Sequence, residues 1–381
     1  MEVVGLDLRT LPTDGTPGRG IAHAARFLAE ALVVKKVPWT WKLYVPKGAA
    51  PLAEAGRGNC VFVELKDETG ASLRQSLKSH PCHFLIVPGG ATPPGLSVPA
   101  VPWVHDLAIF DHPEWFPQSF LRRTVTTTLF RHGIEHAPFV LAVSEDTKRE
   151  LVSRFGIDPR RIIVTLEGGD PFLHALHGAQ LEEHKRAAKL RVGVSGITNA
   201  FILALGAVEE RKNLATLINA WRRACPSISR PVDLVIAGRD GWNLVETHSA
   251  LYRHIQPETD GSRIHRLHAV DDDVRRDLLL AADIVAVPSF HEGFGLVALE
   301  GMQAGTAVLA SAMGGLPEVV GDAGIQLDPR DQESWSHAIA GIMNDDVSRI
   351  DMGLAGKSRA QKFTWDAVAH HVVEGIQNTT R

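Results

Sequence analysis

Short, unbroken apolar runs separated by longer stretches of helical period constrain this chain more than any other feature. The clearest runs are Phe84–Val87, Phe139–Val143, Phe201–Leu205, Leu234–Ala237 and Ile284–Val287, each followed at once by Gly, Ser or Pro. Val3-Val4-Gly5-Leu6-Asp7 reads as a further, first strand. Unbroken apolar runs fit strands buried on both faces, as in parallel sheets covered by helices. Their alternation with helical segments points to α/β architecture with crossover helices. The pattern occurs twice, once before about residue 175 and again from Phe201. Between the two, Ala175 to Asn199 is polar, rich in Lys, Arg, His and Gly, and carries no strand pattern. The expectation is two Rossmann-like, doubly wound domains facing a central cleft, at residues 1–180 and 195–364, with 181–194 as the linker. In such sheets ligands bind beyond the carboxyl ends of the strands, so chemistry is sought where each strand gives way to its loop.

At 381 residues the chain is long enough for two such cores. Its 44% apolar and 22% charged residues are those of a soluble globular protein, and a net charge of −4 gives no polyanion signal, which argues against nucleic acid as a partner. The first half is slightly basic and the remainder slightly acidic. Cys60, Cys82 and Cys225 have neither metal-ligand spacing nor an even disulfide framework, which suits a reducing compartment. No apolar run reaches the length of a bilayer span and no leader pattern opens the chain, so a cytoplasmic protein is expected. Phe120-Leu121-Arg122-Arg123, with Arg131-His132 further on, reads either as a basic helix face near lipid phosphates or as ordinary solvated surface. A peripheral contact with the inner face of a membrane is thus left open.

The most informative stretch is PSFHEGFGLVALEGMQAGTAVLASAMGGLPEVVGDAG, residues 288–324. A strand ends, a loop carries His291, Glu292 and Gly293, and a helix is expected from about Gly295 to Gln303 with Glu300 two turns in. Such a helix aims free backbone N–H groups and its positive dipole end at an incoming anion. Gly293 and Gly295 let the backbone turn tightly and approach a ligand. Paired carboxylates suit a hydroxyl-rich ligand, because each oxygen accepts hydrogen bonds. The second stretch, LALGAVEERKNLATLINAW (203–221), again runs from a strand through Gly206 into the basic pair Arg211-Lys212 and an amphipathic helix, with Asn213 as the expected N-cap. Arg as a fork and Lys as a point charge can hold a diphosphate. Asp271-Asp272-Asp273 is read as a helix opening, and no metal site is expected. His105, just past Val101-Pro102-Trp103-Val104, sits at a strand end, and Asp106 either orients its ring or caps a turn.

Glu292 and Glu300, in E-x7-E spacing within HEGFGLVALEGMQAGTAVLAS, resemble the donor-site signature of the retaining glycosyltransferases of family 4, which have the GT-B fold. The 203–221 stretch is similar to that family's phosphate-binding segment, and IAGRDGW (236–242), DDDVRRDLLLAADIVAVPS (271–289) and GLPEVVGDAGI (315–325) follow in the family's order. VPWVHDLAIFDHPEWFP (101–117) and VSEDTKRELVSRFGIDPRRIIVTLEGGD (143–170) resemble the subgroup that contains many mannosyltransferases of bacterial surface polysaccharides. The resemblance implies a retaining, metal-independent transfer of a hexose, mannose from GDP-mannose above all, from a nucleotide-diphosphate sugar to a glycan or lipid-linked glycan. It implies catalytic parts for His105 and Glu292 at the sugar and for Arg211 and Lys212 at the departing diphosphate. It implies donor contacts from Glu300 to the ribose, from the backbone around Phe294, Gly295 and Leu296, from Gly206, and from Gly20 in the loop before the first helix. Residues 365–381 would form a final helix crossing back to the N-terminal domain. Gly20-Ile21-Ala22-His23 departs from the family's Gly-Ile-Gly-Arg, Val297 from a frequent proline, and Glu167 from a frequent Asn, Leu or Gly. The alternatives are a nucleotide-sugar-binding protein without transferase activity and a nucleotide-sugar epimerase on a related fold.

Overall fold

The structure is a computed structural model, and it describes residues 3–14, 20–52, 59–116, 119–241, 247, 249–250 and 260–379. The chain divides into two units: Met1–Pro113, Gln118–Gly168 and Phe363–Arg381 form the first, Glu114–Pro117 and Gly169–Lys362 the second.

In the first unit β1 (Val3–Asp7), β2 (Thr40–Pro46), β3 (Cys60–Leu65), β4 (Phe84–Pro88), β5 (Ala100–Val104), β6 (Val140–Ala142) and β7 (Ile162–Val164) make one sheet in the order β3-β2-β1-β4-β5-β6-β7. In the second, β8 (Ala200–Leu205), β9 (Val232–Ala237), β10 (Ile264–Leu267), β11 (Ile284–Val287), β12 (Ala307–Ser311) and β13 (Ile325–Leu327) follow the order β10-β9-β8-β11-β12-β13. Every pairing is parallel. Both sheets therefore start with the 3-2-1-4-5-6 order of doubly wound dinucleotide-binding folds, which places a switch point between β1 and β4 and another between β8 and β11.

The apolar runs explain this arrangement. β4, β9 and β11 are buried at every position. One polar residue inside β9, Asp233, is kept because Asn199, Arg263 N–H and His265 all reach its carboxylate within 3.0 Å. The helix Leu214–Ala224 buries Leu214, Leu217, Ile218 and Trp221, the stripe its spacing promised, and Trp221 Nε1 donates to Val232 O at 2.8 Å. Each such fully buried large side chain is worth about 1.5–3 kcal/mol.

The expected linker and domain boundary differ from what the chain does. Residues 181–194, expected as the linker, lie within a helix of the second unit, Gly178–Val194, and the unit boundary falls at Gly168 rather than at 180. Leu181, Ala188 and Val192 are buried and Arg191 pairs with Asp277 of the helix Asp272–Ala281, so a sparse apolar seam anchors a helix that its polar composition hid. The final helix, Trp365–Thr379, belongs to the first unit, where Trp365 stacks on Phe27 at 5.8 Å and Lys35 pairs with Asp366 at 2.7 Å.

Candidate functional site

At the switch point of the second sheet, Gly206, Lys212, Pro288, Ser289, Glu292 and Val297 line a small pocket beyond the ends of β8 and β11. Two segments build it, one after each strand, and Phe290 N–H donates to Arg211 O at 2.9 Å to hold them together. Gly206 leaves β8 with φ 123°. The helix Leu296–Gln303 starts at Gly295 (φ 112°) with no side chain capping it, so its leading N–H groups remain for a ligand. A Cβ on Gly295 would come within 2.6 Å of Leu316, and one on Gly315 within 2.3 Å of Gly293 O, which ties the two glycine-bearing turns together. Phe294 is buried, so any ligand contact at that position comes through its backbone. Leu296 is half-buried at the helix start.

Arg211 and Lys212, expected to hold a diphosphate, already have carboxylate partners. Both hold Glu292: Lys212 Nζ lies 2.6 Å from Oε1 and Arg211 Nη1 3.1 Å from Oε2. Ser289 Oγ donates to Oε1 at 2.7 Å, and Arg211 Nη2 reaches Glu209 at 2.7 Å. Burial works against the Glu292 charge, but Lys212 and then Arg211 outweigh it and hold the carboxyl down to about 2. Two cations and two carboxylates thus balance within one cluster. Glu209 and Ser289 stood inside the quoted motifs, and only the fold shows that they serve Arg211 and Glu292.

Glu300 lies deeper. Its Oε2 is 2.6 Å from Arg275 Nη1, and Arg275 is shared with Asp170 (2.6 Å) and Asp272 (3.4 Å). Burial pushes the Glu300 carboxyl above its usual range; Arg275 opposes this and Asp170 adds to it. Asp170 and Arg275 were not singled out in the sequence, because they lie 105 positions apart. Asp271 accepts from Val274 N–H at 2.8 Å and opens its helix as expected. Asn213 stands at the N-cap of the helix Leu214–Ala224 as expected, but its side chain does not cap it. Its backbone is left-handed (φ 52°), and its Nδ2 donates instead to Pro288 O at 3.0 Å and Pro329 O at 2.7 Å, bracing the loop that carries Glu292.

Lys357 braces the far end of the Glu300 helix. Its Nζ donates to Gln303 O at 2.8 Å and Leu173 O at 2.7 Å. Burial, and then the charge of Lys185, lower its pKa from 10.5 to about 8. Between those two values the unfolded chain binds more protons than the folded one, so this residue makes stability rise with pH there. Lys357→Met is expected to flatten that rise. Urea unfolding of both proteins at pH 7.5 and 9.5 checks it, and equal slopes would refute it.

In the first unit His105 follows β5 directly, and its Nδ1 lies 3.0 Å from Glu167 Oε1. Asp106 is a cap and not the partner of the ring: its Oδ1 accepts from Ala108 N–H at 3.3 Å. Gly20 precedes the helix Ile21–Val33 with φ 57°, while residues 15–19 of its loop lie outside the described residues. The helix Phe120–His136, capped by Ser119, exposes Phe120 (76%) and Leu121 (73%) beside Arg122. Among the described residues no helix is long and apolar enough to cross a membrane.

Two Rossmann-ordered units, one with paired cations and an uncapped helix start at its switch point, make an arrangement suited to a nucleotide-borne anion. The family model for glycosyl transferases group 1 matches residues 190–359. O-antigen chain mannosyltransferase B of Escherichia coli is 30% identical over 268 residues, 70% of this chain and 67% of that protein. D-inositol 3-phosphate glycosyltransferase of Corynebacterium glutamicum is 30% identical over 258 residues, 66% of this chain and 59% of that protein. The chain therefore spans about three fifths to two thirds of the length of these two relatives. Among solved structures, sucrose-phosphate synthase of Thermosynechococcus elongatus shares the fold at TM-score 0.76 and 19% identity, over 99% of each chain. HepE of Anabaena, in a structure with UDP-glucose, does so at TM-score 0.71 and 20% identity, over 99% of this chain and all of the other. The chain belongs to the group 1 glycosyltransferases, family 4, with the GT-B fold.

Proposed function

We propose that the chain is a retaining, metal-independent hexosyltransferase that passes mannose from GDP-mannose to a glycan or lipid-linked glycan in surface-polysaccharide synthesis. The observation that carries the metal-independent reading is the pair Arg211 and Lys212, both within 3.1 Å of Glu292 at the switch point. Fixed positive groups aimed at a departing diphosphate stabilise its growing charge without a metal. The mannosyl reading is supported by the 30% identity to an O-antigen mannosyltransferase.

In this reading the diphosphate lies against Arg211, Lys212 and the N–H groups of the helix start at Gly295 and Leu296, with Gly206 leaving room for it. Glu292 faces the transferred sugar. Glu300, whose Oε2 is held by Arg275, turns its other oxygen to the ribose hydroxyls. His105 contacts the sugar, and Gly20 belongs with the diphosphate and acceptor.

The test is a thermal-shift panel of GDP, UDP, ADP and dTDP and their common sugar conjugates, with and without EDTA. A ligand at a hundred times its dissociation constant adds about 2.7 kcal/mol of stability. The expected result is a shift with GDP and GDP-mannose that EDTA leaves unchanged and Glu300→Ala abolishes. A preference for another base would overturn the mannosyl reading, and a shift lost on adding EDTA would overturn metal independence.

A further inference from the structure

His105 carries a partner that its own motif does not supply. Glu167, 62 positions away, stands where the family resemblance leads one to expect Asn, Leu or Gly. Its side chain is only 4% exposed, and Oε1 lies 3.0 Å from His105 Nδ1. The backbone that carries it is fixed from several sides. Leu166, just before it, is left-handed at φ 59°, one of two non-glycine residues with positive φ among those described. That conformation costs a leucine roughly 1–2 kcal/mol, so the surrounding structure imposes it. Thr165 holds the turn from one side: it is fully buried, its N–H donates to Ala142 O at 2.8 Å, and its Oγ1 receives Trp103 Nε1 at 3.1 Å. On the other side, a Cβ on Gly168 would meet the Trp365 ring at 2.7 Å. Trp103, whose ring centre is 4.5 Å from that of His105, limits how far the imidazole can swing.

We propose that Glu167 is the positioning residue for His105, holding the proton on Nδ1 so that Nε2 faces the donor sugar as a hydrogen-bond acceptor. An imidazole is a donor at one nitrogen and an acceptor at the other, and the partner of one nitrogen decides the state of the other. Asp106, the nearer carboxylate in sequence, is committed to Ala108 N–H. Nε2 is buried and has no hydrogen-bond partner among the described residues. Glu167 Oε1 also accepts no hydrogen bond of good angle among them, so the Nδ1 contact is close but not linear. Contacts of this kind in unliganded sites often tighten when the ligand arrives. A sugar hydroxyl donating to Nε2 would complete the chain from hydroxyl to imidazole to carboxylate. No covalent step is assigned to either residue. The proposal rests on the reading that His105 touches the transferred sugar, and the experiment separates the two.

The full chain is labelled with ¹⁵N-histidine, and the His105 signals are identified by their absence in His105→Ala. Two-bond ¹H–¹⁵N spectra above the titration of the ring then report which nitrogen carries the proton. The expected result is the Nδ1–H form in the wild type and in Glu167→Asp, and the Nε2–H form or a mixture in Glu167→Gln. With it, kcat of Glu167→Gln falls about 10- to 100-fold at nearly unchanged donor KM, less than the roughly 10²- to 10⁴-fold of a group that itself transfers a proton. In a His105→Ala background the same change costs less than threefold. An unchanged tautomer in Glu167→Gln overturns the proposal, as does a full second penalty in the His105→Ala background. If the tautomer moves while His105→Ala is as active as wild type, the reading of His105 fails, and the part of Glu167 in the reaction falls with it.

Discussion

Lys212→Ala is expected to lower kcat by about 10²- to 10³-fold, the loss that follows removal of one preorganised group aimed at developing charge. Lys212 and Arg211 are already held by Glu292 and Glu209, so the cluster is electrically balanced before any donor arrives. An incoming diphosphate competes with Glu292 for the same two cations. In the ground state that competition is close to an exchange of one anion for another. As the glycosidic bond to the diphosphate breaks, charge grows on the leaving oxygen and the cations gain an interaction that the bound donor did not offer. Lys212 therefore acts more on kcat than on KM. Affinity for the free nucleoside diphosphate, which carries that charge in full, falls with kcat. Lys212→Arg restores only part of the rate, since a planar fork replaces a compact point charge in a site already holding Arg211. Lys212→Ala also leaves Glu292 with Arg211 as its remaining cation, so its carboxyl rises from about 2 toward the ordinary range. Steady-state kinetics with saturating donor, paired with calorimetry of the nucleoside diphosphate, checks the prediction. A kcat within threefold of wild type, with product affinity unchanged, would remove Lys212 from the reaction.

How much of this was legible in the sequence depends on where each residue stands in its sheet. β1, β4, β5, β6, β8, β9 and β11, seven of the nine inner strands, announced themselves as apolar runs because helices cover both their faces. The edge strands did not. β3 leaves Val61 and Phe62 exposed, and β10 (Ile-His-Arg-Leu) and β13 (Ile-Gln-Leu) are short and half-polar, as edges are. The helix Gly178–Val194 looked like a linker because only a sparse seam of it is buried. At the site, Glu292, Glu300, Arg211 and Lys212 were singled out because strand-end glycines and helix starts mark ligand positions locally. The pairings of His105 with Glu167 and of Glu300 with Arg275 and Asp170 were not legible, because they act across long sequence separations. Asn213 shows the limit of local reading: it stands at the N-cap as expected, but with a left-handed backbone its amide donates to two loop carbonyls and does not cap the helix.

Asp170 is the partner whose loss should unsettle the second unit most. It is completely buried, caps the helix Pro171–Ala175 through Phe172 N–H at 2.8 Å, and accepts Arg275 at 2.6 Å and Arg276 at 2.8 Å. Burial alone would raise its carboxyl, but Arg276 and Arg275 outweigh it and the pKa is lowered. Removing one member of a buried ion-pair set costs about 3–5 kcal/mol, because the partners keep their charge and lose their compensation. Asp170→Ala is expected to lose that much stability in urea, and Asp170→Asn slightly less, since the amide oxygen can still cap Phe172. The lowered pKa fixes the pH behaviour. Asp170 contributes its stability above the unfolded carboxyl value of about 3.9 and loses it as pH falls through the lower folded value, so the penalty of Asp170→Asn shrinks in acid. Function should respond as well, through Arg275. Without Asp170 this guanidinium has Glu300 and the more distant Asp272 as carboxylate partners, and it draws closer to Glu300, which weakens the hold of Glu300 on a nucleotide ribose. Donor affinity in Asp170→Asn should therefore fall even at temperatures where the variant is fully folded. A stability loss under 1 kcal/mol would mean that Arg275 and Arg276 find other partners, and the buried network would then not be what fixes Glu300 in place.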